Sequence, residues 1–349
     1  MKGAGIRRSD KLLSALDRHE SVTVVTHDNP DPDAIAAGWA VAFLVAEKLR
    51  KPAKLLASGV IVRAENLCMV KLLKPPLTLS DQPPDDGSAL VLVDCVPSGS
   101  NHILSGTALR ATAVIDHHQA TRGGFQASFR DIRPRCIATT SIAASYLREQ
   151  EVEAPTELVT ALLYAIRTEM RGDCSPLSRA ERGIVAWLSE HADHAKIGRI
   201  ESAPLSRDYF ADLLLAIQST FVYEDAALCF LPRASGPEIT GEVADLIARC
   251  DGVRQVLCGA AIDGVVLVST RASRDGGDAL ALLKATLNGI GTCGGHRHRA
   301  GGKVVLKENT AKAVEDVQRA IREAWLAACK VDQQRGTRLV AKKEILEGL

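Results

Sequence analysis

The chain has 349 residues, with 43 Lys and Arg against 42 Asp and Glu, so its overall field is close to neutral and an anionic partner must be held by a local cluster of positive charge. A binder of long duplex DNA would be more basic. The length allows a core in each of two domains, at roughly 100–200 residues per domain.

The nine cysteines fall singly, with no CxxC pair to suggest zinc or a redox site, and several lie inside apolar runs. Reduced thiols in a cytoplasmic protein are the expectation. Met1 to Ser9 is basic but leads into an amphipathic stretch, so it does not read as a signal peptide. No window approaches the ~18 apolar residues of a membrane span, and a soluble protein is expected.

In chain order, the apolar run from Val22 to Val25 leads into His27-Asp28-Asn29-Pro30-Asp31-Pro32-Asp33, and Ala34 to Arg50 follows at helical spacing. Residues 53–62, 90–94 and 112–116 read as strands, the last two running into Asp94 and into Asp116-His117-His118. From Thr139 the pattern turns helical, with Thr140 or Ser141 able to cap Ile142 to Gln150 and Thr156 able to cap Glu157 to Ile166. Strands alternating with helices predict an α/β domain on a parallel, doubly wound sheet.

Residues 176–222 are helical and polar, interrupted by Pro204, before strand-like runs return at Ala227 to Leu231, Val256 to Ala261 and Gly264 to Thr270. A glycine-rich loop from Gly291 to Gly302, a strand from Lys303 to Leu306 and an amphipathic helix from Ala311 to Cys329 complete a smaller α/β domain. The predicted organisation is a first domain over 1–190, a helical linker over 191–222, a second domain over 223–330 and a charged tail over 331–349. That tail has no clear apolar face, and is expected to be mobile or to pack as an added helix. No internal repeat is present.

Three strand-length runs thus end in His or Asp, and in open parallel sheets the crevice beyond the carboxyl ends of the strands is where ligands bind. Each acid has a bland alternative: Asp33 could cap the helix that follows, and Asp31 could hold the Asn-Pro-Asp turn. The coincidence at three strand ends favours a metal site. His27, Asp31, Asp33, Asp94 and His117 supply the carboxylates and imidazoles that two divalent cations need for phosphoester hydrolysis. Oxygen and nitrogen donors without a thiolate favour Mn²⁺, with Mg²⁺ the alternative and Zn²⁺ less suited.

These motifs resemble those of the DHH phosphoesterases, and Gly294-Gly295-His296-Arg297-His298-Arg299-Ala300-Gly301 resembles the GGHxxAxG signature of their DHHA1 substrate domain. The arrangement is most similar to the short nano-RNase and pAp-phosphatase group. The resemblance implies that His27 and Asp31 bind one metal, Asp33 and His117 the other, and that Asp94 bridges them. It further implies that Asp116 orients His117 and that His118 sits near the scissile phosphate. Where relatives carry Asp in a Thr-Asp-Thr stretch, this chain has Glu169, so Glu169 or Asp173 would complete the second metal site.

In the second domain, Gly294, Gly295, His296 and His298 would approach a terminal nucleotide, and Arg271, ending a strand, would grip a phosphate bidentately. The expected partners are short single-stranded oligonucleotides or nucleotides, with no membrane and no duplex DNA, and a homodimer is admitted. Scarce aromatics leave no evident stacking track for a long strand. The leading expectation is an oligoribonuclease that also takes pAp; cyclic or linear dinucleotide hydrolysis is the enzymatic alternative, and a catalytically weak nucleotide-binding regulator the alternative of another class.

Overall fold

A computed structural model describes residues 7–84, 87–118, 125–170, 177–232, 234–295, 297–332 and 335–340. The chain divides into two compact units, Met1–Ala203 and Pro204–Leu349. The stretch 191–222, expected as a linker, carries the last helix of the first unit and the first helix and strand of the second. No helix among the described residues is long and apolar enough to cross a membrane.

The first unit runs α1 (Arg8–Leu16), β1 (Val22–Val25), α2 (Pro32–Leu49), β2 (Ala53–Ala57), α3 (Ala64–Leu73), β3 (Leu77–Leu79), β4 (Ala89–Val93), β5 (Ala113–Asp116), β6 (Phe129–Ile132), α4 (Thr139–Glu149), α5 (Thr156–Met170), α6 (Arg179–His191) and α7 (His194–Glu201). Its six strands are all parallel, in the order β3-β2-β1-β4-β5-β6. The order reverses between β1 and β4, as in a doubly wound sheet, and that reversal marks where a crevice opens at the strand ends.

Alternation along each strand sorts its side chains between two layers. Val91, Val93, Ala113 and Ile115 join α2, α4 and α5 in one large core, whereas Leu90, Leu92 and Val114 pack with Cys95, Leu104 and Ala111 on the opposite face. Helix α2 is buried on nearly all sides, because Ala, Ile, Trp, Val and Leu surround its axis. It also lies close to the sheet: a Cβ at Gly38 would meet Leu55 Cδ1 at 2.5 Å, so any larger residue would force the Leu55 side chain to shift.

The sequence reading did not anticipate β3 or β6. Leu77–Leu79 is too short to show a period, and β6 buries Asp131, whose carboxylate takes hydrogen bonds from Arg133 and the Tyr146 hydroxyl. Thr140 and Ser141 do not cap a helix from Ile142. Helix α4 already begins at Thr139, and its N-cap, Ala138, has no side chain able to accept.

The second unit runs α8 (Arg207–Ser219), β7 (Thr220–Tyr223), β8 (Ala226–Leu231), α9 (Ile239–Ile247), β9 (Gln255–Ile262), β10 (Val265–Ala272), α10 (Ala279–Thr286), β11 (Thr292–Gly295), β12 (Arg299–Val305), α11 (Ala311–Ala328) and β13 (Thr337–Arg338). Its seven strands are ordered β11-β12-β10-β9-β8-β7-β13, and only β8 and β9 pair in parallel. One face packs Leu257, Val266 and Val268 against Leu283, Ile321 and Trp325, and the other packs Val256, Cys258 and Ala260 against Val243, Ala244 and Ile247. This is the second α/β domain expected from the sequence.

Two local expectations need correction. The glycine-rich stretch is an antiparallel hairpin of β11 and β12 rather than a loop, with Gly294 opposite Gly301 and Gly295 opposite Ala300. Gly295 has φ of 133°, and a Cβ there would meet the Arg299 carbonyl oxygen at 2.5 Å, so the hairpin closes only on glycine. In the tail, Thr337 and Arg338 add a short strand to the β7 edge, where a mobile segment or a helix was expected; residues 341–349 lie outside the described residues.

Candidate metal centre

The site forms where β1, β4 and β5 end. His27 follows β1, and Asn29, at φ of 52°, turns the chain back. The Asn29 Oδ1 accepts from the Val60 amide at 2.9 Å, which ties the loop to the segment after β2. Pro32 then starts α2, and Asp31 is its N-cap, accepting from the Ala34 amide at 3.0 Å. The cap is therefore Asp31, and Asp33 is left free for another task.

Asp33 performs that task on a different helix. Its carboxylate accepts from the Thr139 and Thr140 amides at 2.8 and 2.7 Å, satisfying α4 N–H groups that Ala138 cannot cap. Beside it, Thr139 Oγ1 donates to Asp94 Oδ1 at 2.7 Å. Asp94 itself stands immediately after β4 with φ of 61°, a left-handed conformation that Asp tolerates better than most residues.

The imidazoles converge on these carboxylates. His27 Nε2 lies 3.8 Å from an Asp31 oxygen and 3.5 Å from an Asp94 oxygen. His117 Nε2 lies 3.7 Å from an Asp33 oxygen and 3.8 Å from an Asp94 oxygen. These separations exceed a good hydrogen bond, but they suit two donors about 2.0–2.2 Å from a shared cation. The Nδ1 atoms of His27 and His117 lie 2.9 and 3.2 Å from the carbonyl oxygens of Asp28 and Cys136. A carbonyl can only accept, so each Nδ1 carries its proton there and each Nε2 can turn a lone pair to a metal.

Among the described residues, two donor groups have their ligating atoms within 4.8 Å of one another: His27, Asp31 and Asp94, and Asp94, His117 and His118. Asp94 belongs to both. Among the described residues, the cationic partners within ion-pair range of Asp31, Asp33 and Asp94 are imidazoles. Burial and the Asp94 carboxylate push Asp33 up to about 7. Burial would lower the His27 pKa, but Asp31 and Asp94 lift it well above 6.5, so without a cation Nε2 holds a proton where one would bind. Buried, mutually repelling carboxylates interleaved with imidazoles fit divalent cations.

Asp116 acts on His118 rather than on His117 as expected. Its Oδ1 accepts from the His118 amide at 3.0 Å and from His118 Nδ1 at 2.7 Å. Burial would lower the His118 pKa, but Asp116 and Asp94 raise it to about 9. Glu169 lies half-buried in the last turn of α5 and is in neither donor group; Asp173 lies outside the described residues.

In the second unit, Arg271 is engaged within its own domain. Its Nε and one terminal nitrogen donate to the two Asp245 oxygens at 2.6 and 3.2 Å, and the remaining contacts are the Thr270 and Gly241 carbonyls. The fork expected to grip a phosphate is thus closed on a carboxylate. Gly294 and Gly295 stand on β11, His298 takes the Ala272 amide on its carbonyl at 3.1 Å, and His296 lies outside the described residues.

A parallel sheet with this donor set beyond its strand ends gives the first unit the architecture of a divalent-cation site. Residues 21–166 match the DHH family, N-terminal domain. The uncharacterized protein MJ1633 of Methanocaldococcus jannaschii is 27% identical over 327 residues, covering 90% of this chain. This chain spans 66% of that relative's length. An exopolyphosphatase-related protein from Bacteroides fragilis has a TM-score of 0.71 at 16% identity, over 94% of this chain and 99% of that one, and so shares the fold. RecJ from Thermus thermophilus, in complex with Mn²⁺, has a TM-score of 0.48 at 16% identity, over 95% of this chain and 55% of its own.

Proposed function

We propose that this protein hydrolyses short single-stranded oligonucleotides, and pAp as a second substrate, with two divalent cations, Mn²⁺ foremost. The observation that carries the reading is Asp94, shared between the His27–Asp31 side and the His117–His118 side. His27 and Asp31 would hold one cation and Asp33 and His117 the other, with Asp94 shared between them and Glu169 or Asp173 completing the second set. Such a pair would supply hydroxide at neutral pH and neutralise phosphoryl charge. His118, kept protonated by Asp116, gives its proton to the leaving oxygen. Thr139 fixes the Asp94 carboxylate, and α4 fixes Asp33.

The second unit supplies the hold on the substrate's terminal nucleotide, through Arg271, Gly294, Gly295, His296 and His298. Because Arg271 is paired with Asp245, a phosphate has to displace that carboxylate to engage the fork. A near-neutral chain with few aromatic residues suits short substrates rather than long strands.

The test is a rate comparison with Mn²⁺ across end-labelled di- to decanucleotides, pAp, cyclic dinucleotides and polyphosphate, for wild type and Asp94→Ala. Short oligonucleotides should be cleaved fastest, and Asp94→Ala should fold normally and be inactive. Substantial activity in that variant would reject the shared-carboxylate site, and polyphosphate as the best substrate would reject the substrate class.

A further inference from the structure

The sheet face of the first unit that carries Leu90, Leu92 and Val114 is overlaid by the segment from Cys95 to Ala111 and by Phe125 and Ala127. Between this cover and the strands lies a cavity of about 1180 Å³, lined among others by His102, Arg110, Phe125 and Arg130. None of His27, Asp31, Asp33, Asp94, His117 or His118 lines it.

Its chemistry is asymmetric. Among the described residues, two guanidinium groups line it and no carboxylate does. Arg130 stands over the Phe125 ring, 4.3 Å from its centroid, and donates to the Phe125 carbonyl at 3.3 Å. Arg110 makes no hydrogen bond or ion pair among the described residues, so its charge is available.

His102 adds the most specific signal. The residue is 4% exposed, and its Nε2 lies 3.1 Å from the Val96 carbonyl oxygen, so Nε2 carries the proton. Burial holds the ring's pKa below its ordinary value, which leaves Nδ1 with a lone pair. That atom is buried and has no hydrogen-bond partner among the described residues. A buried acceptor without a donor is costly, and a ligand hydroxyl or amine would satisfy it.

We propose that this cavity is a binding site for a nucleoside monophosphate, separate from the metal centre. The phosphate pairs with Arg110 and Arg130, the base stacks on the Phe125 ring, and His102 turns its Nδ1 into the cavity to accept from a hydroxyl or amino group of the nucleoside. Occupancy of this cavity does not depend on the reaction proposed above.

The test is equilibrium dialysis of the full chain in EDTA with AMP, adenosine and inorganic phosphate as separate probes. AMP should bind saturably, with adenosine and phosphate each at least tenfold weaker. Arg110→Gln and Arg130→Gln, both at exposed positions, should each weaken AMP binding roughly tenfold or more without altering the circular dichroism spectrum. Absence of saturable binding up to millimolar AMP would overturn the proposal, as would phosphate binding as tightly as AMP. Loss of AMP binding in Asp94→Ala or Arg271→Ala, with binding retained in the two arginine variants, would also overturn it.

Discussion

The Thr139 hydroxyl donates to Asp94 at 2.7 Å, joining the first residue of α4 to the residue that follows β4. The bond leaves the other Asp94 oxygen to face His27 at 3.5 Å. Partners of this kind orient ligands, and their loss typically weakens metal binding about 10- to 100-fold. Thr139→Val keeps the shape and removes the donor. It should raise the Mn²⁺ concentration needed for half-maximal hydrolysis by that factor while the saturated rate changes less. An unchanged metal titration would show that Asp94 is held well enough without the hydroxyl.

Asp33 predicts a pH dependence in the metal-free protein. Its folded pKa of about 7 stands above the ordinary 3.8, so between those values the folded state binds more protons than the unfolded state. The stability contributed by this group therefore falls as pH rises from ~4 to ~7 and is level above that window. Asn cannot titrate. In EDTA, Asp33→Asn should gain stability relative to wild type across that range, read as the difference in urea midpoint. A constant difference at every pH would mean that Asp33 is ionised throughout.

Arg271 and Asp245 should shift substrate capture in opposite directions. Arg271→Ala removes the charged fork and should raise KM by about ten- to a hundredfold, with bound metal unchanged. Asp245→Asn frees the fork from its carboxylate and should lower KM. Initial rates over a substrate series distinguish the two. A rise in KM for both variants would instead make Asp245 the residue that positions Arg271.

Glu169 and Asp173 compete for one role. If Glu169 completes the second metal site, Glu169→Gln should sharply raise the Mn²⁺ requirement, because charge is lost and shape kept, and Asp173→Asn should matter little. The reverse ranking would move the ligand to Asp173. No effect from either change would mean that fewer protein groups hold the second cation.

The strand-end residues were legible because chemistry follows directly upon apolar runs: Val22–Val25 before His27, Ala89–Val93 before Asp94, Ala113–Ile115 before Asp116. Partnerships across long stretches of chain were not. Asp33 looks like a local cap, yet it caps α4 from more than a hundred residues away. Thr139 reads as a helix start, and only folding brings its hydroxyl to Asp94. Cys136 contributes through its carbonyl, which no side-chain pattern can announce. Arg271 was expected to be open to a ligand because α9, which presents Asp245, had not been anticipated.

Asp94 lies at φ of 61°, and this restricts what the position can accept. Residues other than Gly, Asn and Asp pay roughly 1–2 kcal/mol in that conformation, and β-branched ones fare worst. A saturation library at this codon should therefore separate two failures. Asn and Gly would yield well-folded chains without catalysis, whereas Glu, despite its charge, would strain the turn and overreach. The main chain thus selects the length of the carboxylate arm before any cation arrives.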